Sequence, residues 1–276
     1  CGIEYHFTIK SMSFRKNPDK DSGSASLKNS NLKGNSDIKK NRSGILFYVL
    51  IIILPVATAF YYGYTAYKAN NFLSFPLDDP WIHLTFARNI AEYFSFSYFK
   101  NEIVTAGSTS PLYTILVAIG FLVTKNEMIL SYVLGVSFFA LASLYFYKLN
   151  LTEYKNEYIV CFLFSLVFIF DYWINFISLS GMETTLFIFM MILGAYLYKT
   201  GKIIPLGIVL GLILWTRPDG IAFIAAVVVD IIYNRFIVKD KSENFSYTSK
   251  ELYTSAALFL MLTGLYFGMN LYLSGT

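Results

Sequence analysis

Long apolar runs separated by short polar loops occupy most of the chain after residue 43. A membrane-spanning helix needs about 20 mostly apolar residues, and the clearest candidates are Ile45–Tyr67, Met128–Lys148, Met182–Tyr198, Ile203–Trp215, Ile221–Tyr233 and Leu252–Leu273. Three further runs are short for a full span: Pro111–Val123, Tyr158–Phe170 and Trp173–Leu179. We predict an all-α fold, a polytopic membrane helical bundle of seven to nine spans in which some short runs are half-helices or re-entrant segments.

The composition excludes an ordinary soluble domain. Of the 276 residues, 55% are hydrophobic, 18% are aromatic and only 14% are charged. The mean hydropathy is +0.51. Soluble domains carry about 25% charged residues, and a soluble fold of this length could not hide so many Phe and Tyr side chains from water. The two cysteines, Cys1 and Cys161, are too few for a disulfide framework or a cysteine-based zinc site.

The first 43 residues differ sharply from the rest. They contain nine Lys and Arg against four Asp and Glu, and they are rich in Ser, Asn and Gly. This composition predicts a disordered basic cytoplasmic tail. Because a membrane protein needs positive charge on that side in any case, the tail does not indicate a nucleic-acid partner. Residues 44–276 form the predicted transmembrane module, which we expect to be truncated at its C-terminus because it stops directly after an apolar run.

The distribution of Lys and Arg predicts the orientation in the cell (plasma) membrane. With the tail and the basic loops at 199–202 and 235–241 inside, the first outer loop (68–110), residues 181–183 and residues 217–220 are extracytoplasmic. The prediction is a multi-pass integral membrane protein with a cytoplasmic N-terminus and its polar chemistry on the outer side.

The first outer loop carries the most informative polar residues. Asp79 followed by Pro80 is typical of a helix N-terminus, and Trp81, Leu84, Ala87, Arg88 and Ala91 recur at helical spacing. The pattern predicts an amphipathic surface helix that holds Asp78 and Asp79 at the water–lipid boundary. Two neighbouring carboxylates suit a general base or a metal site. Helix capping and solubility are the simpler explanation of the same pair.

Further polar residues face the same predicted side. Glu183 opens one apolar helix, and Arg217 with Asp219 interrupts another. A charge at the bilayer centre costs about 2.5–3.5 kcal/mol even on the mildest scale, so such residues usually face a cavity, a partner or an interface. A tight outer turn is the alternative for Arg217 and Asp219.

His83 and the hydroxyl residues of the outer loop are weaker signals. His83 stands four residues after Asp79, a spacing that would allow both to bind a divalent metal, although one histidine with carboxylates is an incomplete ligand set. No cofactor is required by any motif. Ser108 and Thr109 precede a helix start whose free N–H groups could bind an anion, and ordinary capping explains them equally well.

Four segments, taken together and in order, resemble the membrane-embedded GT-C glycosyltransferases, and most closely the arabinofuranosyltransferase/mannosyltransferase-like branch. They are residues 77–91 (LDDPWIHLTFARNIA), 107–113 (GSTSPLY), 180–184 (SGMET) and 217–220 (RPDG). The resemblance implies a polyprenyl-phosphate-linked sugar as donor, with the membrane lipid around it, and an acceptor hydroxyl on a glycan, lipid or protein. It also assigns Asp78 as the catalytic base, with Asp79 beside it. The family often has Arg or Lys where this chain has Thr85, so a cation role in the loop passes to Arg88.

The residues fit this chemistry. Asp78 would deprotonate the acceptor as it attacks the anomeric carbon, giving inversion. Arg217 and Arg88 are the guanidiniums available to the leaving phosphate, and Glu183 would orient the acceptor or hold Arg217. Two other classes stay open: a secondary transporter, which would place charges near helix midpoints and show related halves, and a non-catalytic membrane assembly protein.

Overall fold

The computed structural model describes residues 22–100, 107–155, 157–238 and 247–274. Within these ranges all regular secondary structure is helical. The α-helices are α1 (Ser22–Asn70), α2 (Pro80–Tyr93), α3 (Pro111–Gly120), α4 (Glu127–Glu153), α5 (Tyr158–Phe170), α6 (Tyr172–Ser178), α7 (Thr184–Lys199), α8 (Ile203–Thr216), α9 (Ile221–Ile232) and α10 (Ser249–Ser274). A 3₁₀ turn at Pro218–Gly220 precedes α9, and a π-helical turn at Tyr233–Val238 follows it. The contacts divide the chain into two units, Cys1–Leu46 and Phe47–Thr276.

Three helices in the described ranges are long and apolar enough to cross a membrane. They are Gly44–Asn70 within α1, then α4 and α10, with 27, 27 and 26 residues. Helices α5 and α6 give a fourth if the pair, bent by 60°, counts as one span. The predicted all-α fold with membrane-length helices is confirmed at this level.

Each predicted apolar run corresponds to a helix, and the boundaries have local causes. The side chain of Asn126 caps α4 by accepting from the Ile129 amide at 3.1 Å. Asp171 caps α6 by accepting from the Ile174 amide at 2.9 Å, and this cap separates α5 from α6. Helix α1 begins at Ser22, so it includes residues 22–43 of the predicted tail. Residues 1–21 of the predicted tail lie outside the described residues.

Helix α2 exists as predicted. Leu84 and Ala87 of the predicted apolar face are buried, and Trp81 is 42% exposed. His83 is buried as well, at 3% exposure. The apolar pattern could not show this, because the burial of His83 is tolerated through polar partners elsewhere in the chain.

Helices α4 and α7 pack side by side and run in the same direction. Phe138 stacks on Phe189 near the middle of α4, and Glu153 at the end of α4 pairs with Lys199 at the end of α7, with 2.7 Å between Oε1 and Nζ. Helix α5 runs back along α4, since Phe146 stacks on Phe168 and Tyr154 stacks on Phe164.

Helices α8 and α10 are also parallel, and glycines allow them to approach closely. A Cβ on Gly207 would lie 2.3 Å from the Ser255 carbonyl oxygen, and one on Gly211 would lie 2.7 Å from the Leu262 Cβ. The spacing Gly207-x-x-x-Gly211 is the small-residue pattern that favours close packing of membrane helices. Further along, the Trp215 indole N–H donates to the Leu262 carbonyl at 2.9 Å.

These directions define two ends of the second unit. At the first, which we call the Glu183 end, α7 begins and α8 ends, because Arg217 after α8 contacts Glu183 before α7. At the other, which we call the Lys199 end, α4, α7 and α9 end together. The Tyr198 hydroxyl donates there to the Asp230 carboxylate. Helix α7 runs from one end to the other, and its 16 residues separate them by about 24 Å.

Candidate functional site

Glu183 forms the centre of a charged cluster at the Glu183 end. It occupies the position before the first residue of α7, and its side chain is 3% exposed. Its Oε2 lies 3.2 Å from Nε2 of His83, and its Oε1 lies 3.6 Å from Nη1 of Arg217. Arg217 also reaches Asp219, with 3.0 Å between Nη2 and Oδ2. A buried carboxylate is tolerated here because it faces two basic groups.

A chain of hydroxyl groups continues from the other side of the imidazole. His83 Nδ1 lies 3.1 Å from Ser108 Oγ, which lies 2.7 Å from Thr114 Oγ1. The Thr114 hydroxyl is also 3.0 Å from the Ser110 carbonyl. The ring of Tyr113 meets the imidazole edge to face, with 5.8 Å between centroids. The start of α3 therefore holds the orientation of His83 on α2.

The hydrogen-bond chain has two consistent proton arrangements. In one, Thr114 donates to Ser108, Ser108 donates to Nδ1, and Nε2–H of a neutral His83 faces the Glu183 carboxylate. In the other, Thr114 donates to the Ser110 carbonyl, Ser108 donates to Thr114, and the imidazolium of His83 donates from both nitrogens. Both place a proton between His83 Nε2 and Glu183 Oε2, which has no other hydrogen-bond partner among the described residues.

The surroundings of Glu183 favour its ionised form. Burial by itself would raise the pKa of Glu183. The hydrogen bond and charge of His83, together with a backbone hydrogen bond and the Arg217 guanidinium, outweigh burial and lower the pKa below its usual range. Glu183 is thus a fixed negative charge that holds two basic side chains.

Gly181 connects this cluster to the segment that leads to α2. Its φ of +77° lies in the left-handed region, and a Cβ there would lie 2.5 Å from the Phe75 ring. Its carbonyl accepts from the Tyr113 hydroxyl at 2.8 Å. Phe75 packs edge to face on Trp81, with 5.3 Å between centroids. Residues 75–81, which contain Asp78 and Asp79, are thereby anchored against the loop that carries Glu183.

Asp78 and Asp79 lie at the start of α2 with exposed side chains. Their carbonyls accept from the amides of Trp81 and Ile82 at 3.1 and 3.0 Å, which begins the helix. Asp79 occupies the cap position, yet its side chain makes no capping hydrogen bond. Among the ion pairs of the described residues, neither carboxylate takes part. Side-chain capping therefore does not account for Asp79.

The other residues predicted for the site differ in whether they contact the Glu183 cluster. Arg88 pairs with Glu127 at the first turn of α4, with 2.8 Å between Nε and Oε1, so its charge is engaged outside the cluster. Ser108 is buried in the hydroxyl chain, whereas Thr109 is exposed. Asp219 lies in the 3₁₀ turn with its side chain 70% exposed. The 217–220 segment therefore forms a tight turn and also contributes Arg217 to the cluster.

The described residues contain no group of three or more His, Cys, Asp or Glu side chains arranged to hold a metal ion. His83 is instead engaged by Ser108 and Glu183. Its two nitrogens face these partners in the buried cluster, while Asp79 is exposed to solvent. This arrangement differs from the Asp79–His83 metal pair that the spacing allowed.

Sequence reasoning missed three contributions to the site. Thr114 and the Tyr113 hydroxyl lie inside an apolar run, and Glu127 looks like an ordinary first-turn acid of α4. A buried tyrosine usually finds a partner for its hydroxyl, and this is the one signal that could have singled out Tyr113. Nothing in the local pattern connected Glu127 with Arg88.

No known family model, curated protein or solved structure matches the chain. The fold defines it as an all-helical protein with three or four helices of membrane-spanning length in its described residues. A buried acidic–basic cluster lies at one end of that bundle.

Proposed function

We propose that this protein is a membrane glycosyltransferase of the GT-C type, which transfers a sugar from a polyprenyl phosphate to an acceptor hydroxyl with inversion. The supporting observation is that the four segments carrying the resemblance meet at the Glu183 end. His83 of the first contacts Ser108 of the second and Glu183 of the third, and Glu183 contacts Arg217 of the fourth. These contacts bring polar residues of all four segments into one cluster, as a common site requires.

The proposed topology has seven crossings. In chain order, the elements that lead alternately toward and away from the Glu183 end are α1, α4, the α5–α6 pair, α7, α8, α9 and α10. Helix α3, with 10 residues, is about 15 Å long and is the proposed re-entrant segment. With α3 counted as no crossing and the α5–α6 pair as one, the proposal places Lys199 and Arg235 on the same side of the membrane.

The proposed orientation follows from basic side chains of the described residues. Lys148, Lys199 and Lys202 lie at the Lys199 end. The positive-inside rule therefore makes that end cytoplasmic in this proposal. The Glu183 end is then extracytoplasmic, at the surface where a lipid-linked sugar would present its phosphate.

Asp78 is the proposed general base. Its carboxylate is exposed at the start of α2 and forms no ion pair within the described residues. It can therefore accept a proton from an acceptor hydroxyl. Asp79 provides a second negative charge beside it. As the acceptor oxygen bonds to the anomeric carbon, the bond from that carbon to the donor phosphate breaks, and the lipid phosphate leaves as an anion.

Arg217 is the proposed phosphate ligand, whereas Arg88 is assigned a structural role. The Arg217 side chain is 34% exposed, so it can meet a ligand while Glu183 holds it from behind. A guanidinium suits a phosphate because it can offer two parallel N–H donors. Glu183 and His83 act as positioning residues, and Ser108 orients His83. A divalent metal stays an alternative source of positive charge at the phosphate.

The test is donor consumption by full-length protein in liposomes, with polyprenyl-phosphate mannose and polyprenyl-phosphate arabinofuranose as probes and a membrane glycan extract as acceptor. Asp78→Asn should abolish transfer while expression and thermal stability persist. Glu92→Gln, an exposed acid on the same helix, is the matched control and should leave transfer unchanged. Equal transfer by wild type and Asp78→Asn would refute the proposed base.

The same liposomes address the two alternative classes. A secondary transporter would exchange solute across the vesicle without consuming the lipid donor, and an assembly protein would do neither. The cluster at one end of the bundle, rather than at helix midpoints, favours the transferase over the transporter.

A further inference from the structure

A second polar feature lies at the Lys199 end, far from the cluster described above. The ends of α4 and α7 and the facing side of α9 enclose an open cleft of about 350 Å³. Leu149, Phe223 and Val227 contribute apolar walls, and Asn150, Glu153 and Lys199 contribute polar groups. This volume lies within the usual range of small-molecule sites, about 300–1,000 Å³.

The polar side of the cleft carries charges of both signs. Lys199 Nζ lies 2.7 Å from Glu153 Oε1, and the two side chains are 37% and 47% exposed. Tyr198, which also lines the cleft, donates its hydroxyl to the Asp230 carboxylate. The ion pair is half-exposed. Lys199 and Glu153 can therefore separate and each contact a ligand, because water solvates both charges while the pair is open.

The cleft lies at the level where lipid headgroups are expected. Helix α4 has 27 residues and is about 40 Å long, which exceeds the about 30 Å hydrocarbon core of a bilayer. Glu153 is its last residue, so the cleft lies at one end of this membrane-length helix. Nearby, Lys148 Nζ lies 4.7 Å from the Tyr145 ring centroid, and Lys202 Nζ lies 5.9 Å from that of Tyr196. Aromatic and basic side chains of this kind mark membrane interfaces.

We propose that this cleft binds an aminophospholipid, a lipid with a phosphate ester and a primary ammonium group. Lys199 contacts the phosphate, Glu153 accepts from the ammonium, and one acyl chain follows the apolar wall formed by Leu149 and Val227. A ligand with both charges replaces the Lys199–Glu153 pair without leaving either residue unpaired. This site is independent of the reaction proposed at the Glu183 end.

The two charges also predict which lipids are rejected. An anionic lipid without an amine leaves Glu153 unpaired and meets the further negative charge of Asp230. A choline lipid has a positive charge, but its methylated nitrogen has no N–H to donate to Glu153. Selectivity for a primary amine therefore distinguishes this site from general attraction of lipids to basic residues.

The test is native mass spectrometry of the full chain released from nanodiscs containing equal amounts of phosphatidylethanolamine, phosphatidylcholine and phosphatidylglycerol. We expect the ethanolamine lipid to be retained about two- to fivefold above each of the others, as suits contacts to half-exposed charges. Equal retention of the three lipids by the wild-type protein would overturn the proposal without any variant. Soluble phosphoethanolamine at the same concentration should not displace the lipid, and displacement would assign the cleft to a water-soluble ligand instead.

Variants locate the site. Lys199→Gln and Glu153→Gln should each abolish the preference, whereas Lys202→Gln, a neighbouring base that does not line the cleft, should preserve it. Because Lys199 and Glu153 join α4 to α7, each variant is first compared with wild type by thermal unfolding. Val227→Trp, which fills the cleft from α9 and leaves the ion pair intact, should also abolish lipid retention. A preference that survives Val227→Trp would contradict binding in the cleft.

Discussion

The Glu183 carboxylate lies between the His83 imidazole and the Arg217 guanidinium, at 3.2 Å and 3.6 Å. The three residues belong to separate elements, and each lies at the start or end of an apolar helix or close to it. One buried acid therefore connects α2, α7 and the turn before α9. This connection is the structural basis of the proposed site.

Removing the charge of Glu183 should destabilise the protein. Glu183→Gln leaves the Arg217 guanidinium without its buried counter-charge and removes the negative charge that faces His83. Because Arg217 is about one third exposed, we expect a loss of about 2–3 kcal/mol in the free energy of unfolding, below the 3–5 kcal/mol typical of fully buried pairs. Thermal unfolding in detergent at pH 7 measures it, and Glu92→Gln is the control. An unchanged unfolding temperature for Glu183→Gln would show that the cluster contributes nothing to stability.

The lowered pKa of Glu183 predicts a pH dependence. A group whose pKa is lowered by folding stabilises the folded state above its unfolded value, about 4.3 for Glu, and loses that contribution as the pH falls through the lower folded value. The unfolding temperature of wild type should therefore fall from pH 5 to pH 3 more steeply than that of Glu183→Gln. Parallel curves for the two proteins would contradict the assigned direction.

Gly181 should not tolerate a side chain. Gly181→Ala introduces a Cβ at a left-handed φ and 2.5 Å from the Phe75 ring, so we expect a loss of more than about 1 kcal/mol in stability. Because Phe75 anchors the segment that carries Asp78, transfer from a lipid-linked donor should fall as well.

The matched control is Gly264→Ala on α10. A Cβ there meets nothing within 4 Å, and alanine favours a helix, so stability should not decrease. Equal stability of the two alanine variants would show that the Gly181 backbone is not constrained as described.

The close approach of α8 and α10 predicts a difference in stability between valine substitutions at two glycines. Gly207→Val should destabilise the protein because the added side chain meets the Ser255 backbone. Gly268→Val on α10 enters open space and should be tolerated better. Denaturation in mixed detergent micelles measures the free energy of unfolding of both variants. A larger loss of stability in Gly268→Val than in Gly207→Val would contradict the described packing.

Arg217 and Arg88 should differ in function. Arg217→Gln should abolish sugar transfer because it removes the proposed phosphate ligand, whereas Arg88→Gln should retain transfer and lose at most about 1 kcal/mol of stability, since its pair with Glu127 is exposed. Sugar-transfer rates of both variants with the same lipid-linked donor show which arginine binds the donor phosphate. The opposite result would move the phosphate site to the α2–α4 contact.

Much of the helical architecture could be predicted from apolar runs because each run is bounded by a residue with a local effect. Asp171 ends α5 and caps α6, and Pro111 begins α3. The directions of the helices could not be predicted in the same way. The proposed placing of α3 as a re-entrant segment depends on its packing against α2 and α4, which involves residues distant in sequence.

The candidate site was predictable in its residue types and only partly in its contacts. Glu183, Arg217, His83 and Ser108 were expected on one side, and they contact one another. The pairing of Arg88 with Glu127 was not foreseeable, since a long flexible side chain can reach several partners from the same helical position. Asp78 and Asp79 were expected beside the cluster, and this stays a prediction; the segment that carries them is anchored to the loop before Glu183 where Phe75 packs on Gly181.

The most direct test of the account is a cryo-electron microscopy structure of the full chain with polyprenyl-phosphate mannose or polyprenyl-phosphate arabinofuranose bound. We predict the phosphate of the donor within hydrogen-bond distance of the Arg217 guanidinium and the anomeric carbon beside the Asp78 carboxylate. A donor bound at the Lys199 end, or one whose phosphosugar touches neither Asp78 nor Arg217, would contradict it.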